Sequence, residues 1–233
     1  NYDFAMIGTT WDYWDRVPDF FSTLQAIESV TPLHNPSALV KWNSRKTYLK
    51  DLEAKGARLI ATVWIDSASE GAVRAAFDTL ETDDLVIKRQ IGAGAAGQHR
   101  LKRGDAIPNL PHPMMAQAFL PTIQSEGEFS FIFIDGQFCH ALIKRAAEGD
   151  YRIQSLYGGK EEAITSSQQD LAAAESIIRI LDDAPLYARV DMVRNESGDL
   201  LLMELELIEP YLYPVEGPDL GDRLAVAIEK RLK

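Results

Sequence analysis

A single cysteine, Cys139, stands among 233 residues, so no intrachain disulfide can form and a reducing, cytoplasmic setting is expected. No apolar run approaches the roughly 18 residues that span a bilayer, and no signal-peptide pattern opens the sequence. Positive charge is the minority sign: 24 Lys and Arg against 35 Asp and Glu leave a net charge of −11. Such a surface repels phosphate backbones and anionic lipid, which argues against nucleic-acid and membrane partners but leaves room for a basic pocket inside an acidic shell. Repeats and low-complexity tracts are absent. Nothing matches G-x-x-x-x-G-K-[ST], H-E-x-x-H or G-x-S-x-G, which removes the P-loop, zincin and serine-hydrolase patterns. The histidines, His34, His99, His112 and His140, are dispersed without ligand spacing. Cys139 and His140 adjoin in an expected strand, so alternation sends their side chains to opposite faces and excludes a dyad.

What is there suits one large or two compact globular domains: 46% hydrophobic and 25% charged residues exclude a disordered or fibrous chain. The pattern predicts a strand at 2–7, a helix at 18–30, helical composition at 42–55 and a strand at 58–65. A helix follows, with Ser67 and Glu70 as a capping box and Val73, Ala76, Phe77 and Leu80 on its buried face. After a strand at 84–90, Pro108, Pro111 and Pro113 mark residues 105–113 as a connection between subdomains. Asp135-Gly136 joins strands 128–134 and 137–144 as a hairpin. A helix beginning near Ser167 and Asp170 buries Leu171, Ala174, Ile177, Ile178 and Leu181. A second hairpin (186–193 and 200–208) and a helix at 220–232 complete the chain. Antiparallel hairpins mixed with helices indicate an α+β fold.

The run 92–97 matches G-x-G-x-x-G, but it leads into 98–104, which has no helical stripe, so the Rossmann reading fails. A strand, a glycine flap and a second strand would let backbone N–H groups close over phosphates, with Lys88 adding a cation; an ordinary flexible loop is the equal alternative. In the second hairpin, alternation puts Tyr187, Arg189, Asp191 and Val193 on one face. It puts Leu202, Glu204, Glu206 and Ile208 on another, with Leu201, Met203, Leu205 and Leu207 behind. If these faces meet, Asp191, Glu204 and Glu206 cluster and need a compensating cation such as Mg²⁺; a solvated face neutralised by Arg189 is the alternative. Lys144, Arg145 and Arg152 form either an anion pocket or a solvated basic face. Trp11, Tyr13 and Trp14 read as aromatic core or as a substrate-pocket wall.

The segment Trp42-Asn43-Ser44-Arg45-Lys46-Thr47-Tyr48-Leu49, the strand Leu85-Val86-Ile87-Lys88 with its glycine flap, Gln117-Ala118-Phe119-Leu120-Pro121 and Gly127-Glu128 come in a telling order. With Arg145, Arg152-Ile153-Gln154, Gly158-Gly159, Asp191 and Met203-Glu204-Leu205-Glu206, they resemble the ATP-grasp superfamily of carboxylate–amine ligases. Within it the likeness is to the glutathione-synthetase and ribosomal-protein-S6-modifying branch. Thr10-Trp11-Asp12-Tyr13-Trp14, Trp42-Asn43 and residues 204–210 resemble the O-ureidoserine cyclo-ligase (cycloserine-forming) group.

The resemblance implies an ATP-grasp fold of two α+β subdomains gripping ATP, at 42–115 and 116–233. Residues 1–41 would be the end of an α/β pre-ATP-grasp substrate domain whose first part precedes Asn1. Lys46 and Lys88 would reach phosphates under Gly92, Gly94 and Gly97. Gln117, Ala118, Phe119 and Leu120 would form the adenine hinge, followed by Glu128 and, further on, Gln154. Arg145 and Arg152 would be the catalytic arginines, and Asp191, Glu204 and Glu206 the Mg²⁺ ligands. Glu206 stands where the family commonly has asparagine, and Ser130 where glutathione synthetases carry arginine. The implied activity activates a small-molecule carboxylate as an acyl phosphate for attack by an amine or hydroxylamine, with cyclisation where the nitrogen lies in the same molecule. The alternatives are a non-catalytic nucleotide-binding module and a peptide-tailoring ligase. A homodimer is the candidate assembly.

Overall fold

The computed structural model describes residues 2–94, 96–147 and 158–233. The chain opens with a parallel pair, β1 (Ala5–Met6) and β2 (Leu33–His34), joined through α1 (Val17–Glu28). The expected strand at 2–7 is thus cut to two residues, because Asn35 turns into the left-handed region (φ 58°) and ends its partner. The helical stretch expected at 42–55 is two helices, α2 (Ser37–Asn43) and α3 (Tyr48–Ala54). Between them the Lys46 N–H leaves the helix to donate to the Gln90 carbonyl at 2.7 Å.

Next come β3 (Thr62–Ile65), α4 (Glu70–Thr79), β4 (Asp84–Arg89), β5 (His99–Lys102) and β6 (Met114–Ala118). The strands form an antiparallel sheet in the order β3-β6-β4-β5. Val73, Ala76 and Phe77 of α4 are buried against it as the periodicity requires. Its cap is Ser69, whose hydroxyl accepts the Ala72 N–H at 3.2 Å, rather than the expected Ser67. The glycine flap does lie between two paired strands, β4 and β5. The proline-rich segment 105–113, by contrast, connects β5 to β6 inside this sheet. The crossing to the second sheet comes later, at 119–127, and the boundary expected at residue 115 falls within β6.

After α5 (Thr122–Ser125) the chain forms β7 (Glu128–Ile134), β8 (Gln137–Arg145), β9 (Lys160–Ile164), α6 (Gln168–Arg179), β10 (Tyr187–Arg194) and β11 (Leu200–Glu206), and ends in α7 (Leu220–Arg231). These strands pair antiparallel in the order β11-β10-β7-β8-β9. All of β7 is buried, because helices cover both faces. Phe129, Phe131 and Phe133 pack towards α3 and α6, while Ile132 and Ile134 pack towards α7. Ser167 caps α6, accepting the Asp170 N–H at 3.1 Å. No described helix is long and apolar enough to cross a membrane.

Two β-bulges break the alternation on which the sequence reading relied. Ile132 faces His140 and Phe133 faces Phe138, so Cys139 is the extra residue and shares a side with His140. The imidazole Nδ1 lies 3.4 Å from the Cys139 sulfur, which corrects the expectation of opposite faces. In the other hairpin Asp191 faces Glu204 and Met192 faces Leu202, leaving Met203 extra. Leu202 therefore enters the core, 1% exposed, and Met203 joins Glu204 on the cavity side.

The outer edge of β11 is finished by other groups. Residues 58–60, expected as part of a strand with 61–65, run beside it: the Leu202 N–H donates to the Arg58 carbonyl at 2.8 Å. Asn43 donates to the Leu205 carbonyl at 2.8 Å and accepts the Leu207 N–H at 3.0 Å, and the Tyr48 hydroxyl accepts the Leu205 N–H at 2.8 Å. Asn35, fully buried, donates to the Tyr187 and Leu207 carbonyls and accepts the Leu186 N–H. Side chains thus satisfy the ladder groups that an open edge would leave unpaired.

Candidate active site

The two sheets and the N-terminal segment enclose a cavity of about 910 Å³. Its floor is the β10–β11 hairpin, whose register sets Arg189 opposite Glu206 and Asp191 opposite Glu204. The expected meeting of acidic faces therefore occurs. Each acid, however, is already held by a cation. The Arg189 guanidinium reaches both Asp191 oxygens at 3.0 Å and also pairs with Glu206, while its third direction donates to the Tyr211 carbonyl at 3.0 Å. Lys144 of β8 pairs with Glu128 and, at 3.2 Å, with Asp191. Ser130, at the position of the family departure, donates its hydroxyl to Asp191. Burial alone would raise the Asp191 carboxyl, but Arg189 and Lys144 outweigh it and hold the group well below the usual range.

Lys46 pairs with Glu204 and donates to the Gly92 carbonyl at 3.3 Å, which ties the flap root to β11. Lys88 has no ion pair among the described residues, and burial pushes its pKa down. An ammonium without an ion pair among the described residues, facing a cavity, fits an anion, and Gly92 and Gly94 of the flap line the same cavity; this wall suits the phosphates of ATP. On the floor, burial and then the charges of Glu204 and Asp191, partly offset by Arg189, push the Glu206 carboxyl up to about 7. Glu209, at the far side, is pushed up to about 8 by burial and by Glu206 and Glu204. A divalent cation relieves this crowding.

The donor set narrows the metal expectation. Among the described residues no three carboxylate, imidazole or thiol groups converge as a cage. Asp191, with a side chain 3% exposed and fully engaged by Arg189, Lys144 and Ser130, acts as a buried counter-charge. Glu204 and Glu206, at 27% and 28% exposure, face the cavity and suit a cation that takes one or two carboxylates and completes its shell with phosphates.

The cavity thus gathers Lys46, Lys88, Gly92, Gly94, Glu128, Asp191, Glu204 and Glu206 from the expected set. Gly97 does not line it and instead packs against Arg89. Arg145 points away from Lys144, as strand neighbours do, and pairs with Glu162 on the exposed face at 2.5 Å. The Gln117 side chain bonds Thr62 within the first sheet at 2.9 Å, and the Arg100 guanidinium lies 3.4 Å from the centre of the Phe119 ring. Ala118 ends β6, and Leu120 follows at the crossing between the sheets. Arg152 and Gln154 lie outside the described residues. Of the aromatic trio, Tyr13 is core, whereas Trp11 and Trp14 line the cavity.

Sequence reasoning missed Arg89, Glu209, Tyr211 and Tyr213. The last three belong to a loop with prolines at 210, 214 and 218 that bends at Tyr213 (φ 51°), whose carbonyl accepts the Glu216 and Gly217 N–H groups, and no local periodicity announces which of its residues face the cavity.

Comparison with known proteins agrees with this geometry. Residues 1–35 match the family described as the N-terminal domain of D-cycloserine synthetase DcsG, and residues 105–201 match the ATP-grasp domain of prokaryotic glutathione synthetase. The chain is 29% identical to the cycloserine biosynthesis protein DcsG of Streptomyces lavendulae, covering all of this chain and 84% of that protein. A glutathione synthetase of Prochlorococcus marinus is 27% identical over 78% of this chain, which spans just over half, 58%, of that relative. The crystal structure of D-cycloserine synthetase DcsG superposes on the whole chain and 85% of that one with a TM-score of 0.87 at 24% identity, which shows the shared fold. Its two antiparallel sheets, its flap and lysine wall and these likenesses give the chain an ATP-grasp fold and make it similar to the carboxylate–amine ligases of that superfamily.

Proposed function

We propose that this enzyme activates the carboxylate of a small molecule with ATP and closes it on a nitrogen of the same molecule, as the likeness to the cycloserine proteins suggests. A carboxylate oxygen attacks the γ-phosphorus, the bond to the β,γ-bridging oxygen breaks, and ADP leaves. The amine or hydroxylamine nitrogen then attacks the acyl phosphate, losing a proton, and phosphate departs. Phosphoryl transfer asks the protein mainly for position and charge. Lys88 and Lys46 neutralise phosphate oxygens, the flap excludes the water that would hydrolyse the acyl phosphate, and Asp191 keeps Lys144 and Arg189 charged and in place. Glu204 and Glu206 would hold Mg²⁺, which supplies charge neutralisation at the β- and γ-phosphates.

The observation that carries this reading is Lys88, without an ion pair among the described residues, beside the glycine flap and in one cavity with Glu204 and Glu206. ADP release across a panel of amino acids and O-amino-serine derivatives of both hands tests it, with hydroxylamine added to trap acyl phosphate as hydroxamate. The expected result is carboxylate-dependent ADP release and, from a single substrate, a product lighter by one water. Tight ATP binding with no ADP release across the panel overturns it in favour of a nucleotide-binding module.

A further inference from the structure

The cations lining the cavity fall into two groups. Lys46, Lys144 and Arg189 each have carboxylate partners. Lys88 and Arg89, adjacent at the end of β4, have none among the described residues. Lys88 lies in the field of Glu204, Glu128 and Asp191, at the phosphate end. Arg89 is left over, at the end lined by Trp11 and Trp14.

Two features fix its orientation. The guanidinium carbon sits 5.3 Å from the centre of the Trp14 ring. From the flap side, a Cβ on Gly97 (φ +69°) would come within 2.6 Å of the Arg89 Nε, and one on Gly92 within 3.4 Å of its Cβ. Trp14 is itself anchored: its Nε1 donates to the Trp11 carbonyl at 2.9 Å, and Trp11 Nε1 donates to the Glu209 carbonyl at 3.1 Å. An arginine steadied by an aromatic face keeps its in-plane N–H fork for a planar anion, and a carboxylate matches that fork with two parallel bonds.

We propose that Arg89 is the receptor for the substrate carboxylate, presenting it beside the terminal phosphate held by Lys88. The inference rests on the ligase reading and names the residue that selects the first substrate. It answers a physical need: a carboxylate and a triphosphate repel, so the attacking oxygen reaches phosphorus only where each anion has its own cation. Gly97 then serves by leaving room for Arg89 beneath the flap.

The test compares Arg89→Gln and Arg89→Lys with the unaltered enzyme, using the carboxylate that gives most ADP release in the panel and its primary amide as a neutral competitor. In the Gln variant the KM for the carboxylate is expected to rise roughly 10- to 100-fold with the KM for ATP within about twofold. The preference for acid over amide should collapse in the Gln variant and survive in part in the Lys variant, whose charge remains. An unchanged acid-over-amide preference in both variants overturns the assignment. So does a rise in the KM for ATP, or carboxylate-independent ADP release, with the carboxylate KM unmoved; Arg89 would then only seat the flap. If the unaltered enzyme releases no ADP with any carboxylate, it is the ligase reading that fails.

Discussion

Lys46 and Glu204 meet as an ion pair across 158 positions of sequence, fastening the break between α2 and α3 to the bulge of β11 inside the cavity. The same carboxylate is therefore counter-ion to a lysine proposed to bind phosphate and candidate ligand to Mg²⁺. Glu204→Gln keeps the shape and removes the charge. ADP release followed across a Mg²⁺ titration should fall by roughly 100-fold or more. Full Mg²⁺-dependent turnover in this variant would refute the metal assignment.

Lys88→Met should separate stability from activity. The folded state disfavours the Lys88 charge through burial, so its removal costs the fold little. Calorimetry should show a Tm unchanged or up to about 4 °C higher, on the order of 1 kcal/mol. ATP binding, measured by titration, should weaken sharply; a variant that binds ATP as before contradicts the phosphate role.

Asp135 ties the β7–β8 turn to α7, accepting from Lys230 at 2.6 Å and from Arg231 at 2.7 and 3.0 Å. Burial raises its carboxyl, but the two cations outweigh it and hold the group below its ordinary value. Its contribution is thus complete above the unfolded value near ~3.9 and is lost as pH falls through the folded one. Asparagine tolerates the left-handed turn (φ 50°), so Asp135→Asn isolates the charge. We expect a loss of about 0.5–1 kcal/mol at pH 7 that shrinks towards zero near pH 3 (roughly, by the same linkage), read from denaturant midpoints. A loss that persists at low pH would show that the charge is not the cause.

Gly217 packs against His140 so closely that a Cβ would lie 2.1 Å from Nδ1. Gly217→Ala should therefore cost roughly 1–3 kcal/mol through overpacking. In the double variant with His140→Ala the added methyl should cost far less, a coupling that chemical denaturation can measure. Additive losses would mean that the two sites do not touch.

Much of the architecture was readable because local signals and tertiary packing agree. Asp135-Gly136 specified its hairpin through two left-handed residues, and Ser167 capped α6 where expected. The acidic floor was readable as far as Asp191 and Glu204, since period two holds up to the bulge. It failed at Leu202 and Met203, as at Cys139 and His140, because an extra residue in a strand has no signature in hydrophobic alternation. Lys46 left its helix for a backbone partner 44 positions away, which no local propensity reports. Arg89 went unnoticed for the opposite reason: the role proposed for it rests on having no carboxylate partner among the described residues, which no sequence pattern reports.

The amides of Asn35 and Asn43 find their backbone partners 151 to 172 residues downstream. On a ribosome adding roughly 5–20 residues each second, those partners emerge about 8–34 s later. The front of the chain must wait through that interval with polar groups built for a strand not yet made. Both side chains are fully paired only once the chain has been made through Leu207, just past β11, a timing set by two asparagines.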